Sequence, residues 1–265
     1  MIGAIIGDVV GSRFEFHNIK TKDFELWHND CHTTDDSVLT CATADWVLHG
    51  GHPEKYLLAW GRRYKDQRFE NGKISAFSPG FTKWLETKQA YNTNTNGCIM
   101  RMSPVPIMFD DYDKGMSHAI ELTSTTHNHP ESLTATGAYI DTAYMLKFRT
   151  PVQKIKEYVL GKYDYNLYQT LDDIRPTYNK FYYTCKNSVP MALIAALDAT
   201  DFVDAIRGAI SIGGDSDTLA CIAGGLAEIR FGVPHDYAVN IKKYMDGRMQ
   251  KIVNEFYTKL NSKQK

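Results

Sequence analysis

No stretch of this sequence runs apolar for the ~20 residues that a membrane-spanning helix needs. The opening Met1-Ile2-Gly3-Ala4-Ile5-Ile6-Gly7-Asp8 has no basic segment before its apolar run and carries an acid inside it, so it does not read as a secretory leader. An excess of one charge is missing too: 30 Lys and Arg against 31 Asp and Glu leave a formal net charge of −1. Nothing in that balance marks a broad surface for nucleic acid or membrane, and a polyanionic ligand has to be met locally. The five cysteines, Cys31, Cys41, Cys98, Cys185 and Cys221, are odd in number and never form a C-x-x-C pair. That argues against a disulfide framework or a thiolate zinc site, and they read as reduced thiols of a soluble, cytoplasmic protein. Little in the chain alternates with period two over strand length, and long low-complexity linkers and internal repeats are absent. What remains is an all-α chain, and with 43% hydrophobic residues it has enough apolar material for residues 1–265 to form a single domain.

Gly3, Gly7 and Gly11 stand four apart on one face of a first helix, flanked by Ile5, Ile6, Val9 and Val10. Each glycine costs ~1 kcal/mol against alanine in a helix interior, so three on one face point to a backbone pressed against another helix or a ligand. Helical spacing predicts further helices over Thr34 to His49, Pro53 to Tyr64, Lys114 to Ser124, Pro130 to Phe148 and Pro151 to Leu160. Two consecutive helices are expected over Pro190 to Thr200 and Asp201 to Ser211, and Leu219, Ile222, Leu226 and Ile229 make a clean stripe beyond them. Asn71-Gly72, Ser78-Pro79-Gly80 and Asn92 to Thr95 concentrate turn formers and predict loops. The tyrosine-rich stretch from Tyr163 to Tyr183 is either a long loop or a frayed helix, its rings serving packing.

Two acidic clusters sit where a loop gives way to a helix: Thr33-Thr34-Asp35-Asp36-Ser37 and Gly213-Gly214-Asp215-Ser216-Asp217-Thr218. Either one alone reads as helix capping, since Thr, Ser and Asp satisfy orphan amides and suit the positive end of the dipole. Together they also offer the hard oxygen ligands that Mg²⁺, Mn²⁺ or Ca²⁺ prefer. Bridging carboxylates of this kind serve sites with two ions ~3.5–4 Å apart. Capping and ligation are compatible.

In order and spacing, four blocks resemble the ADP-ribosylglycohydrolase family over about residues 1 to 232. They are Gly3 to Asp8 with Gly11 and Glu15; Thr34-Asp35-Asp36-Ser37; Asn96-Gly97-Cys98-Ile99-Met100-Arg101 with Pro104; and Gly213 to Thr218 with Ala223-Gly224-Gly225. Thr126-His127-Asn128-His129-Pro130 fits between the last two. The resemblance implies an all-α fold in which Thr34, Asp35, Asp36, Asp215, Asp217 and Thr218 hold two Mg²⁺ or Mn²⁺ ions. It places Glu15 on a mobile loop near metals and substrate, and makes it, with Asp35 and Asp36, the catalytic set. Asn96 and Gly97 would wrap the diphosphate, and His127, Gly213 and Gly214 would bind substrate. The implied activity is hydrolysis of the glycosidic bond between ADP-ribose and an acceptor, either an ADP-ribosylated protein or a small ADP-ribose conjugate. Departures are Thr95 and Cys98, where many members carry a glycine and a small residue, and Ser37 in place of a threonine. A non-catalytic, crystallin-like binder of the same family and a two-metal phosphoesterase are the rival readings. Arg101 reads first as an ion-pair partner for a buried acid, and His127 and His129 as helix caps or buried-turn residues outside the family context.

Overall fold

The computed structural model describes residues 1–66 and 77–263. It is built from helices: α1 (Ile2–Gly11), α2 (Asp35–His49), α3 (Pro53–Tyr64), α4 (Pro79–Thr87), α5 (Pro104–Met108), α6 (Tyr112–Ser124) and α7 (Pro130–Lys147). These are followed by α8 (Val152–Tyr163), α9 (Leu171–Ile174), α10 (Cys185–Asp198), α11 (Phe202–Ile212), α12 (Ser216–Phe231), α13 (His235–Asn240) and α14 (Gly247–Lys263). No strand forms among the described residues, only the isolated bridges Tyr91–His127 and Thr95–Thr184. The all-α expectation therefore holds.

The centre is α1, all ten of whose residues are buried, lying along α12. A side chain on Gly7 would collide with the backbone of Ala220, and one on Gly11 would stand 2.6 Å from Asp217 Cα. The glycine face is thus a close helix–helix contact. It also sets Asp8 of α1 beside the N-terminus of α12 and that of α2.

Helices over Pro53–Tyr64 and from Pro130 match the periodicity, and the Thr34 region differs only in that Thr34 is the cap rather than the first helical residue. Two stretches depart from expectation. Ser78-Pro79-Gly80 opens a helix instead of a turn: Ser78 caps it by accepting from Phe81 N at 3.2 Å, Pro79 takes the first turn, and Phe81, Trp84 and Leu85 are buried. The same residues suit a turn and a helix start, and the buried stripe decides. The helix containing Pro190 begins a turn earlier, at Cys185, and holds the proline inside it. Tyr163 to Tyr183 is largely irregular, with only α9 helical, fixed by a Thr170–Asp173 capping box. The Asn71-Gly72 turn lies outside the described residues.

The chain between α1 and α2 has no helix beyond a short 3-10 turn at Ser12–Phe14, yet it is tied down. Lys22 pairs with Asp204 at 2.7 Å, Arg207 donates to the carbonyls of Lys22 (2.5 Å) and Phe24 (2.7 Å), and Lys20 donates to Tyr178 O at 2.5 Å. All five cysteines are free and buried, and Cys98 and Cys185 bring their sulfurs to 3.8 Å. No helix among the described residues is long and apolar enough to cross a membrane.

Candidate metal centre

Asp8 is the one charged side chain of α1 and is fully buried. It accepts from Thr34 N (3.1 Å), Thr34 Oγ1 (2.7 Å), Ser37 N (3.0 Å) and the Ser37 hydroxyl. This carboxylate therefore clamps the start of α2, where Thr34 also caps Asp36 N at 3.2 Å. Capping is real, and it positions the acids: Asp35 and Asp36 occupy the first turn of α2, with Asp36 buried. Sequence reasoning placed Asp8 in a motif without giving it this role. The available signal was an acid inside an otherwise apolar helix.

The second cluster arrives through Gly213 and Gly214, both at positive φ (+81° and +73°), a conformation that suits glycine. Asn18 holds Gly214 from both sides, accepting from its N–H (2.7 Å) and donating to its carbonyl (2.9 Å). Gly213 and Gly214 do not line the cavity; they form the turn that delivers Asp215, Asp217 and Thr218 to it. Asn96 donates to Asp215 Oδ2 at 2.7 Å, and Thr218 Oγ1 lies 3.4 Å from Asp36 Oδ2.

Oxygens of Asp8, Asp36 and Asp217 lie within 4.8 Å of one another, as do those of Glu15, Asp215 and Asp217. Among the described residues no lysine or arginine ion-pairs with Asp8, Asp35, Asp36, Asp215 or Asp217. Asp36 Oδ1 and Asp217 Oδ1 are buried without a hydrogen-bond partner. Burial first, and repulsion from neighbouring carboxylates second, push Asp35, Asp36 and Asp217 well above the usual carboxylate range. Asp8 and Asp215 are raised by burial and partly restrained by their hydrogen bonds. Such crowding is costly unless positive charge sits among the acids. The all-oxygen donor set fits a hard divalent cation, and the orphaned oxygens mark where one would be held.

Above the acids opens a cavity of about 750 Å³. Glu15, Asp35, Asp36, Asp215, Asp217 and Thr218 line one side, and Asn96, Gly97 and His127 another. Thr34 does not line the cavity, but its hydroxyl donates to Asp8 Oδ1 at 2.7 Å and lies 3.4 Å from Asp36 Oδ2 among the acids. The rim carries Phe16 and Phe181, whose rings stack at 5.9 Å and 9°, with Tyr183 next to Phe181. These rings are 76%, 44% and 54% exposed. The packing expectation for the end of the tyrosine-rich stretch therefore fails at Tyr183, and sequence reasoning missed Phe16 and Phe181, whose positions lacked any periodic signal. A groove of similar volume along α14 is open and carries no carboxylate cluster that could hold a metal.

His129 caps α7, accepting from Glu131 N at 3.1 Å, while His127 is buried and joined to Thr95 and Thr126. Among the described residues Arg101 forms no ion pair with a carboxylate, contrary to the ion-pair expectation. It is fully buried and donates to Thr126 Oγ1 at 2.6 Å and more weakly to Leu122 O at 3.4 Å.

Fold and site define a class of all-helical protein with a buried acidic centre at the base of a ligand-sized cleft. The ADP-ribosylglycohydrolase family model matches residues 1–265, and the chain belongs to that family. A solved structure titled ADP-ribosylglycohydrolase-related protein complex superimposes with a TM-score of 0.72 at 19% identity, covering 98% of this chain and 97% of that one. That likeness shows the shared fold. No curated protein matches the sequence.

Proposed function

We propose that this glycohydrolase depends on two metal ions and cleaves the glycosidic bond between ADP-ribose and an acceptor, releasing ADP-ribose. The observation that carries the reading is the convergence of unpartnered buried carboxylate oxygens at the base of the cavity. Thr34, Asp35, Asp36, Asp215, Asp217 and Thr218 would hold two Mg²⁺ or Mn²⁺ ions, with Asp8 fixing the start of α2 behind them. When bound, such ions supply Lewis acidity to ribose hydroxyls and to an attacking water.

The protein's own part begins with placement. The cavity volume falls within the range of about 300–1,000 Å³ usual for small-molecule sites. Asn96, oriented by Asp215, and the adjoining Gly97 give a close backbone approach for a diphosphate. The exposed faces of Phe16, Phe181 and Tyr183 offer stacking to a flat base. Bond cleavage at the anomeric carbon develops positive charge on the ribose, which the surrounding carboxylates favour. Glu15, on the cavity wall beside Asp215 and Asp217, assists proton transfer to or from the reacting groups.

A panel of ADP-ribosylated proteins and small ADP-ribose conjugates, incubated with Mg²⁺ or Mn²⁺, tests this directly. Free ADP-ribose is the expected product. AMP would point to a phosphoesterase, and binding without turnover to a non-catalytic member. Glu15→Gln should retain most ADP-ribose affinity by calorimetry while lowering kcat by ~10²–10⁴-fold, the usual worth of acid–base assistance. An unchanged kcat would remove Glu15 from the mechanism.

A further inference from the structure

Arg101 raises a question of proton bookkeeping. Its Nη2 donates to Thr126 Oγ1 at 2.6 Å, and a guanidinium has no acceptor to offer in return. Thr126 Oγ1 therefore accepts here, and its own hydrogen needs another destination. His127 Nδ1 lies 2.7 Å from that oxygen. Nδ1 must accept, so in the neutral ring the hydrogen sits on Nε2. Nε2 stands 3.0 Å from Thr95 Oγ1, which also receives a weak bond from Thr93 Oγ1 at 3.5 Å. With those lone pairs engaged from the protein side, Thr95 has only its own hydrogen left to give, and it lines the cavity next to Asn96 and Gly97.

The reverse arrangement fails on the same count. A hydrogen on Nδ1 would point at Thr126 Oγ1, and the Thr126 hydroxyl would lose the acceptor that completes it in a buried site. Burial, reinforced by the Arg101 charge, holds the His127 pKa down to about 3, so the ring stays neutral and keeps one acceptor nitrogen. Nε and Nη1 of Arg101 are buried without partners. Among the described residues no carboxylate ion-pairs with the guanidinium, and its charge polarises the chain of bonds.

We propose that Arg101, Thr126 and His127 form a one-way relay of hydrogen bonds that makes the Thr95 hydroxyl a donor into the cavity, where it binds an anionic phosphate oxygen of the ligand. Arg101, Thr126 and His127 are positioning residues; Thr95 is the group that touches the ligand. Identifying that oxygen with the diphosphate of ADP-ribose rests on the proposed function, whereas the direction of the relay is a property of the ligand-free protein.

Nitrogen-15 NMR of the His127 ring, assigned with His127→Gln, tests the direction. The expected state is hydrogen on Nε2 in the unliganded protein, disturbed in Thr126→Val and restored in Thr126→Ser. Calorimetry with ADP-ribose then tests the consequence. Thr95→Val should bind about tenfold more weakly, as for the loss of one charge-assisted hydrogen bond, and Thr95→Ser should bind as the native protein does. Thr126→Val should weaken binding similarly, with no further loss in the double valine variant. Arg101 is left intact, because truncating so large a buried side chain risks the fold. Hydrogen on Nδ1 in the native protein overturns the relay, and undiminished binding by Thr95→Val overturns the ligand contact. Should the native protein not bind ADP-ribose, the glycohydrolase reading falls. Pyrophosphate then becomes the probe, with the same tenfold loss expected for Thr95→Val.

Discussion

Asp36 shows how a side chain proposed to serve function can oppose the fold that carries it. Its Oδ1 has no partner, and burial with neighbouring Asp8, Asp35 and Asp215 raises its pKa well above the ordinary carboxylate range. A raised pKa means that the folded state holds its proton more tightly than the unfolded chain does. Metal-free stability therefore falls as pH climbs from the ordinary Asp value of 3.8 through the raised one. Asn at this position has no proton to lose. Asp36→Asn is expected to stabilise the metal-free protein at neutral pH by roughly 1–2 kcal/mol, in the manner of other relieved functional sites. The same variant should lose turnover and most of the stabilisation that Mg²⁺ brings. Thermal melts with and without Mg²⁺ check both halves, and a lower melting temperature in the metal-free variant would contradict the account. The convergence of Asp35, Asp36, Asp215, Asp217 and Thr218 on one cavity was legible because acids and hydroxyls recur at two loop-to-helix junctions. The place of Arg101 was not. A lone arginine in an apolar run signals burial, but whether its partner is an acid or a hydroxyl depends on which helix arrives opposite.

At the scale of elements, the contact between α1 and α12 does the positioning. The backbone of α1 approaches α12 at Gly3, Gly7 and Gly11, and this places Asp8 against the starts of α2 and α12. Gly7→Ala would drive a methyl group into the Ala220 backbone, which a flexible side chain elsewhere cannot relieve. The expected cost is about 1–3 kcal/mol, as for other overpacked cores. Metal-dependent stabilisation should weaken with it, because Asp8 shifts with α1. Urea unfolding measures the first effect, and an unchanged midpoint would show that the contact has slack. The glycine spacing made this contact readable from the sequence. The opening of α4 was hidden because Ser78-Pro79-Gly80 satisfies both a turn and a helix start, and only the burial of Phe81, Trp84 and Leu85 separates them. The early start of α10 was hidden by Pro190, which reads locally as a first-turn residue while the chain already enters the helix at Cys185.

For the whole molecule, a cation held by the acids would enter the stability balance. EDTA should inactivate the protein and lower its melting temperature, with Mg²⁺ or Mn²⁺ restoring both better than Zn²⁺, since the proposed ligands offer neither thiolate nor imidazole. A cation at a hundred times its Kd should contribute ~2.7 kcal/mol. Turnover unaffected by chelation would remove the metals from the reaction. The α1–α12 contact also carries a consequence in time. α1 is buried on every side, with Asp8 its only charge, yet the helix that covers it begins at Ser216. At typical synthesis speeds of about 5–20 residues per second, ribosomes need on the order of 10–40 s to reach the partner after α1 has been made. Throughout that interval α1 has early neighbours such as α2 to lean on, and its glycine face stays open until α12 follows.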